Sequence, residues 1–154
     1  CDRRQRQMCI RDSIISVCKI MKDMCMLDLK IGKPSMTNGV YPGDTSIIRL
    51  GLLGNLTGEV VLNIAHPMAL EVVSKMVMMP VDTIDDMGKS AISELGNMIA
   101  GNAATVFSNG NILIDITPPS YFEGSQYKPD VAEMFRVPFT CEAGELSIDI
   151  YVNE

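Results

Sequence analysis

This chain has little of what self-contained metal or nucleophile chemistry draws on. Its 154 residues include one histidine, His66, so a histidine-based metal cluster is excluded. A Ser-His-Asp or Cys-His device would need that same residue, which precedes Pro67 at an expected helix start and reads as a cap or core residue. The five cysteines (Cys1, Cys9, Cys18, Cys25 and Cys141) lack Cys-x-x-Cys spacing, and their number is odd. Cys18 and Cys25 fall on one helical face, where a free thiol behaves as a small hydrophobe; this reads as a reduced, cytoplasmic chain. The glycines are scattered and form no phosphate-cradling loop.

Positive charge is also scarce. Thirteen Lys and Arg against 19 Asp and Glu give a net charge of −6 and a pI near 4.7, which argues against nucleic acid or an anionic membrane as a general partner. Arg3, Arg4, Arg6 and Arg11 cluster near the start, where they read as a solvated helix face that opposes the helix dipole. No long apolar run is present. Residues 47–80 are interrupted by Arg49, Asn55, Glu59, His66, Glu71 and Lys75, well short of the ~18 apolar residues of a membrane span. No secretory leader is visible, and a chain opening on Cys1 is expected to have lost residues.

What is present suits a single domain over 1–154, since 47% of the residues are apolar. The periodicity predicts a first helix over Asp2–Leu27, with Ile10, Ile14, Val17, Cys18, Met21 and Cys25 at three- and four-residue spacing. Strands are expected at Met36–Val40, Thr45–Leu53 and Gly58–Ala65, then a helix from Pro67 to Met78. A long helix should open at Asp82-Thr83, with Thr83 and Asp86 forming a capping-box pattern, and stop at Asn109-Gly110 in a left-handed turn. Strands follow at Asn111–Thr117, Glu133–Cys141 and Glu145–Val152, the last two joined through Glu142-Ala-Gly144. The order suggests two α-βββ halves. Met76, Met78 and Met79 read as core filler, and Asp82, Asp85 and Asp86 as ordinary dipole compensation.

The long helix carries the chemistry. At about 100° per residue, with Ser90 at zero, Glu94 falls at about 40°, Asn97 at about 340° and Gly101 at about 20°. Ala91, Ile92, Leu95, Met98 and Ile99 occupy the opposite, core-facing arc. A hydroxyl, a carboxylate and a carboxamide therefore share one exposed face, followed later by Pro118-Pro119. Gly96, Ala100, Gly101 and Ala104 surround them. Exposed helix positions are usually filled by long polar residues, so this reads as a bare patch for a docked surface.

These residues resemble the CheC/CheX family of chemotaxis phosphatases, whose signature is Asp or Ser, three residues, Glu, two residues, Asn, and a later Pro. Ser90, Glu94 and Asn97 match it, and the runs Asn97-Met-Ile-Ala-Gly-Asn, Ile112-Leu-Ile-Asp-Ile and Pro118-Pro-Ser-Tyr-Phe-Glu-Gly are similar to the family as well. The likeness extends from about Ile10 to the C-terminus. Pro118 and Pro119 both stand slightly closer to Asn97 than the family pattern has it, so either is a candidate for the motif proline. The signature occurs once, which resembles CheX more than the two-site CheC. The first helix carries no Glu-x-x-Asn, so the second half alone should be active.

The resemblance implies a two-layer α/β fold with long helices on an antiparallel or mixed sheet, and a homodimer formed through sheet edges. It implies phosphatase action on the aspartyl phosphate of a CheY-like receiver, which itself holds Mg²⁺ and a lysine; no cofactor or metal of this chain's own is expected. Asn97 would orient the attacking water, Glu94 would pair with the receiver's lysine, and Ser90, Gly101 and Pro119 would contact the partner. Two rivals stand beside this: a non-catalytic adaptor that binds a receiver or flagellar-switch component through the same helix, and a purely structural dimer.

Overall fold

Along the strand Ser46–Gly54, Ile48, Leu50 and Leu52 alternate with Ile47, Arg49 and Gly51, so each face of one sheet receives every second side chain. The computed structural model describes residues 3–38, 41–128 and 133–153. Its elements are α1 (Arg3–Cys25), β1 (Lys30–Ile31), β2 (Ser35–Thr37), β3 (Ser46–Gly54), β4 (Thr57–Ile64), α2 (His66–Val77), α3 (Asp86–Asn109), β5 (Ile114–Ile116), β6 (Ser120–Glu123), β7 (Met134–Cys141) and β8 (Gly144–Asn153). All strand pairs are antiparallel, in the order β1-β7-β8-β4-β3-β5, with β2 also on β7 and β6 also on β3.

The topology bears out two α-βββ halves, with α2 as the connection. Each half builds a hairpin, β3–β4 or β7–β8, and lends its interrupted first strand to the hairpin of the other half. Proline makes both interruptions: Pro34 separates β1 from β2, and Pro118-Pro119 separate β5 from β6. Pro138 is tolerated inside β7 because it lies opposite the first of these gaps. Its carbonyl accepts from Gly32 N at 2.8 Å, so its missing N–H also faces the break.

The three helices cover one sheet face over a core that includes Met21, Ile48, Leu62, Val72, Leu95 and Phe139. The other face carries a smaller cluster of Tyr41, Ile47, Val61, Tyr127 and Met134. Beside it, Asp149 on β8 is fully buried opposite Arg136 on β7. Arg136 donates to both its oxygens, at 2.8 and 2.9 Å, and the Tyr41 hydroxyl donates at 2.6 Å. Burial, with Asp149 beside it, holds the Tyr41 phenol protonated far above its ordinary range.

Several boundaries differ from the sequence expectation. α3 starts at Asp86, not at Asp82-Thr83. Its cap is Asp85, whose carboxylate accepts from Gly88 N at 2.9 Å, because Ile84 is drawn onto the core just before the helix. At the other end Gly110 is right-handed and Asn111 takes the left-handed conformation, φ 66°. Ala65 caps α2, and His66 is its half-buried first residue, neither cap nor core. The strand expected at Met36–Val40 is β2, and Gly39 and Val40 lie outside the described residues, as do Cys1 and Asp2. β1 and β6 were not anticipated, and the strand expected at Asn111–Thr117 shrinks to β5. Cys9, Cys18, Cys25 and Cys141 are free thiols. Among the described residues no helix is long and apolar enough to cross a membrane.

Candidate functional site

α3 lies on the sheet through Ile92, Leu95, Gly96, Ile99 and Ala100, all buried. Gly96 sets the closeness of that approach. A Cβ there would stand 2.7 Å from Ile48 Cγ2 on β3. Burying this arc turns Ser90 and Glu94 fully outward, and leaves Asn97 and Gly101 half-exposed beside them. The structure therefore brings Ser90, Glu94, Asn97 and Gly101 onto one face. The side chains of Glu94 and Asn97 stand one turn apart, about 5–6 Å between Cβ atoms.

α3 carries a second asparagine with a different fate. The Asn102 carboxamide donates to Ser16 Oγ on α1, and Ser16 Oγ in turn donates to Ser13 O at 2.7 Å. Asn102 thus fastens the two long helices together. The side chains of Asn97 and Glu94 carry no hydrogen bond or ion pair among the described residues. An amide that folding does not use stands next to a carboxylate that folding does not use.

The small residues divide in the same way. Gly96 and Ala100 belong to helix–sheet packing, and Ala104, with Ala103 and Phe107, lines an apolar cavity of about 50 Å³ between α1, α3 and the sheet. These three are not part of a bare patch, contrary to the sequence expectation. Gly101 is: a Cβ built on it meets nothing within 4 Å. A helix that keeps glycine where alanine would fit forgoes about 1 kcal/mol.

Pro119 is not on this face. It is half-buried, and Pro118 exposed, in the corner between β5 and β6, two strands that flank α3 at the sheet edge. The corner is held on both sides. Thr117 exchanges bonds with Gly51, its Oγ1 accepting from Gly51 N at 2.7 Å, and the Tyr121 hydroxyl shares a 2.9 Å hydrogen bond with buried Ser46 Oγ. Lys89 on α3 sits over the Tyr121 ring, 5.6 Å from its centroid, and ties the corner to the helix.

Two further departures concern methionine. Met76 is half-buried as core filler, but Met78 is 90% exposed and Met79 54% exposed, so the core reading fails for those two. Met78 caps α2 in the left-handed conformation, φ 60°, which points its side chain away from the core. Met87 lies on the Ser90–Glu94 stripe and is 53% exposed; its three- and seven-residue spacing from them was the signal available in the sequence. Among the described residues no group of three His, Cys, Asp or Glu is placed to hold a metal.

Comparisons with known proteins agree with this architecture. Residues 46–140 match the family model described as chemotaxis phosphatase CheX. A Thermotoga maritima protein named CheY-P phosphatase CheX is 32% identical over 114 residues, 73% of this chain and 74% of that protein. A CheC-like superfamily protein from Shewanella sp. PV-4 superposes with a TM-score of 0.83 at 25% identity, covering 95% of this chain and 97% of that one. A CheX–CheY–BeF3–Mg²⁺ complex from Borrelia burgdorferi gives a TM-score of 0.79 at 25% identity, over 94% of this chain and 97% of that one.

Proposed function

The chain belongs to the CheX family of chemotaxis phosphatases, and from that premise we propose that it hydrolyses the aspartyl phosphate of a CheY-like receiver with Asn97 as its catalytic amide. The observation that carries this is the contrast within α3: Asn102 is tied to α1, while Asn97 stands unused beside Glu94 on an outward face.

An acyl phosphate needs no covalent catalyst, only a water in line with the scissile bond and compensation of charge. Water oxygen attacks phosphorus, the bond to the aspartate oxygen breaks, and inorganic phosphate and a free carboxylate are released. Mg²⁺ in the receiver's own site offsets phosphoryl charge, as expected from the relative solved with CheY, BeF3 and Mg²⁺. What this chain adds to the chemistry comes from α3. The Asn97 carboxamide accepts from and donates to the water without bringing charge near the phosphoryl oxygens. Glu94 pairs with the receiver's lysine and sets the helix in register. Ser90 lies at the edge of the contact, Gly101 admits the partner's surface, and Pro119 borders it. A ~100-fold acceleration needs only ~2.7 kcal/mol, which orienting one water can supply.

The protein works in the cytoplasm as one CheX-like domain and as a homodimer in this reading. Exposed Ile31 and Met36 on the β1–β2 edge, with exposed Phe135 on the neighbouring β7, support the dimer. Light scattering that returned a monomer at micromolar concentration would remove it.

The test of function is loss of phosphoryl group from phosphorylated receivers, with wild type, Asn97→Ala and Glu94→Ala in parallel. Asn97→Ala should lose the acceleration and keep most of the binding, and Glu94→Ala should chiefly weaken association. Full activity in Asn97→Ala would refute the mechanism. Binding with no acceleration by wild type would make the protein an adaptor.

A further inference from the structure

We propose that Met87 is the apolar anchor by which the receiver is held against α3, an inference that rests on the reading of that helix as the receiver-docking face. Met87 lies three residues before Ser90 and seven before Glu94, at about 60° on the same wheel, so it extends the motif stripe by one turn toward the N-terminus. It is 53% exposed and belongs to none of the hydrophobic clusters, whereas Ile84 and Val81 just before it both pack on the core. Folding therefore makes little use of the side chain. Nor does the helix end ask for it: at the second position of a helix, acidic residues complement the dipole, and Asp85 and Asp86 already do so.

The stripe from Met87 to Gly101 is about 21 Å long, a length suited to a protein surface rather than a small ligand. Its polar members, Ser90, Glu94 and Asn97, can align a partner but bury little apolar area. Met87 is the large apolar side chain on the stripe, unbranched and able to conform to a shallow pocket. The occupant is the same receiver that Glu94 and Asn97 address, because a surface seated on those two residues is continuous with the turn that carries Met87. The partner should then present an apolar depression beside its phosphorylation site.

The test measures binding of a CheY-like receiver, activated with BeF3 and Mg²⁺, by titration calorimetry in the Asn97→Ala background, where turnover plays no part. Met87→Ala, an exposed position given the best helix former, should weaken binding about tenfold, and Met87→Leu should restore it to within about twofold. Unchanged affinity in Met87→Ala would overturn the anchor while leaving the phosphatase reading intact. A parent chain that binds no receiver would overturn both. In the wild-type background, decay assays should show a raised KM with kcat unchanged; a fall in kcat alone would place Met87 in the chemistry and refute an anchoring role.

Discussion

A methyl group added at Gly96 and at Gly101, five residues apart on α3, should push the protein in opposite directions. In a helix, alanine is favoured over glycine by about 0.8–1.0 kcal/mol. At Gly101 nothing lies within 4 Å of the new Cβ, so the full propensity gain should appear as stability. For a chain of this length about 1 kcal/mol raises Tm by roughly 2–4 °C. At Gly96 the Cβ would meet Ile48 Cγ2 at 2.7 Å and Ile48 Cβ at 3.3 Å. Ile48 is fully buried on β3 and, being β-branched, is stiff about χ1, so relief requires the helix to lift. Overpacking of this kind costs about 1–3 kcal/mol, so after the propensity gain Gly96→Ala should be destabilising by up to about 2 kcal/mol. Urea and thermal melts of both variants measure this directly. The functional readout separates them further. Gly101→Ala should be more stable yet bind the receiver several-fold less tightly, because its methyl occupies space the partner needs. A Gly101→Ala chain that gained stability and kept full affinity would show that the open space at Gly101 is not a contact. A Gly96→Ala chain stabilised as much as Gly101→Ala would refute the packing argument itself.

Asp149→Ala should cost about 3–5 kcal/mol in urea melts, since it leaves the Arg136 guanidinium and the Tyr41 hydroxyl without their shared partner at a fully buried site; a loss below about 1 kcal/mol would refute that account. Met78→Gly should stabilise by about 1 kcal/mol, because it relieves a left-handed residue whose side chain is 90% exposed, and a lowered Tm would count against the strain. Burial pushes the Cys25 thiol up to about 11, so the unfolded chain ionises first. Stability from this group is full below the unfolded thiol's pKa and is lost as pH rises toward about 11; Cys25→Ala should flatten that part of the pH–stability curve.

The long elements were legible in the sequence because α1 and α3 bury one face at helical spacing, while the hairpin strands are apolar runs bounded by turn residues, β3 being buried on both faces. The halves could be counted from these runs. β1 and β6 could not be found this way. They are two and four residues long and exist because β7 and β3 offer them edges, which is information held by the partner strand. The cap of α3 was misplaced because Thr83 and Asp85 are both good caps. Only the docking of Ile84 on the core decides between them. The motif face was readable because Ser90, Glu94, Asn97 and Gly101 repeat at helical spacing. Which glycine was spare was not readable, since Gly96 and Gly101 differ only in whether β3 lies beneath them. The methionines misled for a related reason: side-chain chemistry made Met78 a core residue, and a left-handed backbone turned it outward.

The duplicated architecture also sharpens what loss of Asn97 should look like. α1 presents an outward face with Met8, Asp12, Ile15 and Lys19, all exposed, at the same spacing as Ser90, Glu94, Asn97 and Gly101. The two halves exchange their first strands, so both helices lie on the same sheet face and both present a stripe to solvent. On α1 the acid position is occupied by Asp12, but the amide position holds Ile15, which cannot accept from or donate to water. At the spacing that Gly101 keeps from Asn97, α1 carries the long, exposed side chain of Lys19 instead of a glycine. α1 can therefore neither orient a water nor admit a surface as closely. Asn97→Ala should accordingly reduce receiver dephosphorylation to the receiver's own rate, with no remainder from a second site. Single-turnover decay curves at saturating protein distinguish the cases: a persistent acceleration at about half the wild-type rate would mean that α1 is catalytic without an amide, and the assignment of chemistry to the Asn97 carboxamide would fall with it.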